Sequence, residues 1–208
     1  PLRYVVLAER LIARRVPLTV VADPVRGKPQ SAYLGVEDYI AVRNTPSLKP
    51  PQQGPSRLAD AVARIRAAAP DASVFCVAGS ICQGAQISRL LASFALWPAN
   101  AHLVLVGNVD KDIPDFNEMV LRSGPRVTYL GAMPYGEVER GLPVCDVGVA
   151  LYNTDWPWSN EIYCAPCKVG DYVKAGLAIL VSQNPTLVSL LAEYPIGVAI
   201  DPLDPGSI

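Results

Sequence analysis

Apolar residues recur along the second three-quarters of this chain in short dense runs separated by amphipathic segments. The runs SVFCVAG (73–79), HLVLVG (102–107), VTYLG (127–131), DVGVALY (146–152), LAILVS (177–182) and IGVAI (196–200) are strand-length and rich in Val, Ile and Leu. Between them lie helix-period stretches at 84–97, 115–123, 135–142, 167–175 and 185–193, with another at 57–69 ahead of the first run. Buried-type strands alternating with helices predict an α/β fold, a Rossmann-like doubly wound parallel sheet. The first quarter reads differently. Residues 2–15 alternate apolar and basic positions like an amphipathic helix, 18–22 and 38–44 read as strands, and a polar segment after Pro24 reads as irregular chain.

The segment TPSLKPPQQGPS (45–56) holds four prolines and reads as a linker. The expected organisation is therefore 1–45 as the tail end of a preceding domain, 46–56 as linker, and 57–208 as one Rossmann-like domain. The absence of an initial Met and the helical start suggest a piece of a longer protein.

Composition narrows the function. With 208 residues, 50% apolar and a net charge of −1, the chain suits a globular core and gives no electrostatic case for nucleic acid. No apolar run is long enough to span a bilayer. Five scattered cysteines favour reduced thiols and a cytoplasmic location over a disulfide framework. Membrane-surface contact through the helix at 2–15 is the weaker addition. Cys164 and Cys167 form a CxxC, but one histidine, His102, and no second CxxC argue against a four-ligand zinc site. His102 has no acidic or nucleophilic neighbour in sequence and reads as structural.

Ligands of such sheets bind beyond the carboxyl ends of the strands. The first of these ends carries Gly79-Ser80 and then Gly84 at the head of a helix, where backbone N–H groups can hold a diphosphate. A plain tight turn is the other reading, since neither GxGxxG nor a P-loop occurs. The turn after 127–131 places Leu130 and Met133 where they clasp a flat base or simply join strand to helix. Lys168 and Asp171, three apart on a helix, present a cation and a carboxylate on one face. That pair suits a ligand with phosphate and hydroxyl groups, or closes on itself as an intrahelical ion pair.

In order and spacing, residues 38–202 resemble the C-terminal, donor-binding domain of GT-B fold glycosyltransferases of the large retaining group. DYIAVRNTP is similar to the interdomain segment, VFCVAGSICQG to the first strand and its glycine turn, and HLVLVGNVD to the second strand. RVTYLGAMPYGEV is similar to the third strand and turn, DVGVALYN to the strand before the site, and IGVAIDP to the last strand. PCKVGDYVKAGLAILVS is similar to the stretch Pro-Asn-Lys-x-x-Glu-Tyr-x-x-x-Gly-x-Pro. Residues 1–37 resemble a remnant of the N-terminal half.

The resemblance implies that Asp171 replaces a Glu that binds ribose hydroxyls, with one methylene less reach. It places Lys168 near the diphosphate, Gly79, Ser80 and Gly84 at the phosphate turn, and Leu130 and Met133 at the base. Tyr163 falls where Glu-x7-Glu members carry their first Glu, and Glu161 is two residues out of register. Ser80 and Gln83 fall where many relatives carry Arg and Lys, so the leaving diphosphate has fewer cations here.

The implied function is transfer of a sugar from a nucleotide-diphospho-sugar to a glycan, lipid-linked or small-molecule acceptor, with no metal or other cofactor. Acceptor groups and any catalytic base belong to the absent N-terminal half, so this chain alone is expected to turn over little. Ser80, Gln83 and Tyr163 motivate one alternative, a non-catalytic binding or scaffold module of the same fold. A nucleotide-sugar 2-epimerase is the other.

Overall fold

The computed structural model describes residues 2–22, 24–36, 38–42, 44–51, 53–154, 167–204 and 206. The chain opens with α1 (Leu2–Ala13), β1 (Val20–Val21), α2 (Pro24–Leu34) and β2 (Ile40–Ala41). β1 and β2 pair in parallel, with Val20 opposite Ile40, which makes α2 the crossover of a small β-α-β unit. α2 departs from the expected irregular segment. Pro24 stands at its first position, where a missing N–H costs nothing, although Pro29 lies within it. The Tyr39 ring covers its middle, where a Cβ on Gly27 would meet ring carbon at 2.3 Å.

From Arg57 onward the alternation is regular. α3 (Arg57–Ala68) starts at Ser56, whose side chain accepts from the Ala59 N–H, and leads into β3 (Ser73–Ala78). α4 (Ile87–Ser93), β4 (Ala101–Val106), α5 (Phe116–Arg122), β5 (Val127–Tyr129), α6 (Tyr135–Gly141) and β6 (Val147–Ala150) follow. After residues 155–166 come α7 (Cys167–Lys174), β7 (Ala178–Ser182), α8 (Pro185–Glu193) and β8 (Gly197–Ile200). The six strands are parallel in the order β5-β4-β3-β6-β7-β8. Chain order reverses between β3 and β6, so the crevice for a ligand lies beyond their carboxyl ends.

Period-2 alternation builds the core on both faces of this sheet. In β4, Leu103 and Leu105 turn towards α4 and α5, joining Leu90, Phe94 and Phe116. Val104 and Val106 turn the other way and join Leu58, Val62, Tyr172 and Leu187 from α3, α7 and α8. Such double-sided burial is why these strands read as continuous apolar runs.

The expected helix at 84–97 is broken into three. A 3-10 turn at Gln83–Ala85 precedes α4, and another at Phe94–Leu96 follows it. The first break falls at Gln86, buried with φ 54°. The second is set by Pro98, which holds the preceding Trp97 extended at ψ 153°.

Candidate functional site

Helix α7 points its first turn at the crevice because its own amphipathic pattern leaves no other choice. Val169 and Tyr172 are buried against the sheet, so Lys168 and Asp171 fall on the flank facing the strand ends. Tyr172 fixes the docking. Its hydroxyl accepts the Ala78 N–H at 2.9 Å, at the end of β3, and donates to the Val149 carbonyl of β6 at 3.3 Å. One side chain thus ties α7 to both strands of the switch point. Gly176, with φ 79°, ends the helix region and turns the chain into β7.

The turns after β3 and β4 form the opposite wall. They pack backbone to backbone: a Cβ on Gly107 would lie 1.7 Å from the Gly79 carbonyl oxygen. Only glycine fits there. Ile81 and Val109 form a parallel bridge beyond the sheet, with the Ile81 N–H on Asn108 O at 2.9 Å and the Asp110 N–H on Ile81 O at 2.8 Å. The cavity between these turns and α7 has a volume of about 460 Å³, the size of a small-molecule site.

Gly79, Ser80, Met133, Lys168 and Asp171 all line it. Leu130 instead packs with the core layer under α3, α7 and α8, and its N–H bonds Leu105 O at 3.0 Å. Gly84 sits in the 3-10 turn away from the cavity lining, its carbonyl accepting the Asn153 N–H at 3.0 Å. Tyr163 lies outside the described residues, as do Cys164, Glu161 and the two tryptophans near them. His102 sits at the amino end of β4, remote from the crevice, and burial followed by nearby Arg126 lowers its pKa.

Lys168 and Asp171 form no ion pair with each other. The Lys168 ammonium lies 5.5 Å from the centroid of the Tyr152 ring, and its stem runs past Gly79, where a Cβ would meet Cε at 3.5 Å. Among the described residues no carboxylate pairs with it. Burial lowers its pKa, with the Cys82 thiol opposing. The buried Tyr152 hydroxyl has no hydrogen-bond partner among the described residues. Asp171 accepts the Tyr135 hydroxyl at 2.7 Å. Burial raises its pKa, the Tyr135 bond opposes, Glu139 adds to the rise and Lys174 opposes. Lys174 is itself held by Glu139 and by the Lys49 carbonyl.

At Gln83 the backbone N–H donates to the Asp112 carboxylate at 3.0 Å and the side-chain amide to the Asp112 carbonyl at 2.6 Å. A protein carboxylate thus already occupies one donor of the expected anion turn. Tyr152 and Asp112 were not legible as site residues, because neither contact is local in sequence. The aspartate-tyrosine order of α7 and the aromatic start of α6 were the available signals for Tyr172 and Tyr135. A second cavity, about 440 Å³, lies between residues 44–48 and helices α7 and α8, with mainly apolar walls such as Pro46, Val173 and Tyr194.

No known family model matches the sequence, and no curated protein matches it. Solved structures do match in fold. Sucrose-phosphate synthase from Thermosynechococcus elongatus superposes with a TM-score of 0.70 at 18% identity, over 99% of this chain and 50% of that one. HepE of Anabaena in complex with UDP gives 0.67 at 15% identity, over 97% and 54%. WaaG, a glycosyltransferase involved in lipopolysaccharide biosynthesis, gives 0.63 at 14%, over 88% and 48%. The chain spans about half the length of these structures, and its fold is the Rossmann-like fold of GT-B glycosyltransferases.

Proposed function

We propose that this chain is the donor-binding half of a glycosyltransferase that takes a nucleotide-diphospho-sugar and delivers the sugar to an acceptor held outside residues 1–208. The observation that carries the reading is Lys168: a half-buried ammonium, unpaired among the described residues, held against Gly79 at the switch point, with Asp171 one turn further in the same cavity. A cation with no carboxylate partner among the described residues, and partly desolvated, suits an anionic group that arrives with the ligand. A uridine nucleotide is the preferred donor class, supported by HepE structures with UDP and with UDP-glucose. Lipopolysaccharide synthesis by WaaG supports a glycan-building role.

In the proposed reaction the bond between the anomeric carbon and the diphosphate oxygen breaks, and an acceptor hydroxyl oxygen forms the new bond as it loses its proton. Lys168 stabilises charge on the departing diphosphate, the task otherwise given to a divalent cation, so transfer needs no metal. Asp171 accepts from ribose hydroxyls, and Met133 lies against the base.

A second reading follows from Gln83. With its N–H taken by Asp112 and no cation at Ser80, the site also suits a module that binds nucleotide-sugar without cleaving it.

Calorimetric titration of the folded chain with UDP, GDP and ADP tests the reading, with Lys168→Ala and Asp171→Ala beside it. Binding of one nucleotide, weakened about tenfold or more by each substitution, is the expected result. Failure of all three nucleotides to bind a folded protein overturns it. Release of sugar to an acceptor by the longer protein separates the transferase from the binding module.

A further inference from the structure

Asp171 offers two carboxylate oxygens to the crevice, and one of them is already engaged. The Tyr135 hydroxyl donates to Oδ1 across a sequence separation of 36 residues. A phenol has one proton to give and two lone pairs to accept with. Donating to Asp171 therefore leaves the Tyr135 oxygen an acceptor. Tyr135 is 55% exposed and lines the same cavity as Asp171. Asp171 Oδ2 and Tyr135 Oη are thus neighbouring acceptors joined through one hydrogen bond. The Tyr135 oxygen lies 2.7 Å from Oδ1 of the same carboxylate, and two vicinal hydroxyls on a five-membered sugar ring are the complementary pair of donors.

We infer that Tyr135 is a specificity-determining residue of this site: with Asp171 it forms a two-acceptor receptor for the ribose diol, one hydroxyl donating to Asp171 Oδ2 and the other to Tyr135 Oη. The inference rests on the reading of the crevice as a nucleoside-diphosphate site. It accounts for the short acid. An aspartate reaches one methylene less far than a glutamate, and with Oδ1 engaged by the phenol proton, the phenol oxygen stands beside Oδ2 as the second open acceptor. Burial and the adjacent Asp171 carboxylate raise the phenol's pKa, which keeps its proton on the bond to Asp171. Lys174 does not compete for that carboxylate, since Glu139 and the Lys49 carbonyl hold it.

The test uses whichever of UDP, GDP and ADP binds the wild-type chain most tightly, together with its 2′-deoxy and 3′-deoxy forms. The wild type is expected to prefer the ribonucleotide over at least one deoxy form by about tenfold, the worth of one hydrogen bond to a charged acceptor system. Tyr135→Phe keeps the ring and removes the oxygen. It should weaken the ribonucleotide by about tenfold and abolish that preference. Asp171→Glu in the Tyr135→Phe background should restore both, which a purely structural role for the phenol does not predict. Tyr135→Phe binding the ribonucleotide as tightly as wild type, or tighter, means the diol displaces the phenol and overturns the inference. So does an unchanged deoxy preference. If the ribonucleotide binds and depends on Lys168 while Tyr135→Phe is silent, only the diol receptor falls. If none of the three nucleotides binds the folded wild type, the nucleotide reading and the diol receptor fall together.

Discussion

Gly148 and the Tyr172 ring compete for one space: a Cβ on Gly148 would lie 2.2 Å from Tyr172 Cγ. The ring is buried completely, and its hydroxyl is committed at Ala78 and Val149, so it has nowhere to retreat. Glycine inside β6 is therefore the counterpart of a tyrosine in α7.

Gly148→Ala should destabilise the fold by about 1–3 kcal/mol or more, as overpacking of a rigid core does. Urea denaturation measures it. The cost should largely vanish when Tyr172 is first truncated to Ala, which a double-mutant cycle reads as strong coupling. Equal cost with and without the ring would mean that the alanine strains β6 for another reason.

Lys168→Met should raise the melting temperature at neutral pH while weakening nucleotide binding at least about tenfold. Burial depresses the Lys168 pKa, so the folded chain holds this proton less tightly than the unfolded chain does. Stability associated with the group is full above the unfolded lysine pKa and is lost as pH falls through the depressed folded value. The charged lysine is a cost at pH 7, and the methionine removes it. The gap between the two melting curves should close above the ordinary lysine range, where both states are neutral.

Asp171 has the opposite sense. Burial raises its pKa, so its contribution is full below the ordinary aspartate pKa and lost as pH rises through the raised value. Asp171→Asn should stabilise the chain at neutral pH, with the gain fading once pH drops below the ordinary carboxylate range. Carbon-detected NMR titration of the side chain gives the direct measurement. Tyr135→Phe should move that titration to still higher pH, because the hydroxyl bond that favours the carboxylate is gone.

The parts of the fold that depend on period and punctuation were legible. β3, β4 and β7 announce themselves as apolar runs and α8 begins and ends where its pattern does, whereas the switch point between β3 and β6 shows only in the strand order. α2 was hidden because its two prolines and glycine read as loop, while the contact that covers it comes from Tyr39. The break at Gln86 was hidden because a left-handed residue there needs no glycine once the neighbouring turn is held by Asp112. In the site, Lys168, Asp171, Gly79, Ser80 and Met133 converge on one cavity as α7 and the strand ends imply. Leu130 and Gly84 point their chemistry elsewhere. Their spacing was right for a turn, but spacing does not say which residues of a turn reach the cavity: Leu130 shares the core layer of Met133 yet stops short of the lining, and Gly84 has no side chain to aim.

The bridge between Ile81 and Val109 gives the crevice a kinetic character. Its two loops are sewn together by backbone bonds and by the Gly79–Gly107 contact, so they are ordered before anything arrives. A visitor has little motion of these two turns to arrest, and little of their entropy to remove, on contact. Association should then run at the pace of encounter, and substitutions in the cavity should express themselves as shorter or longer residence.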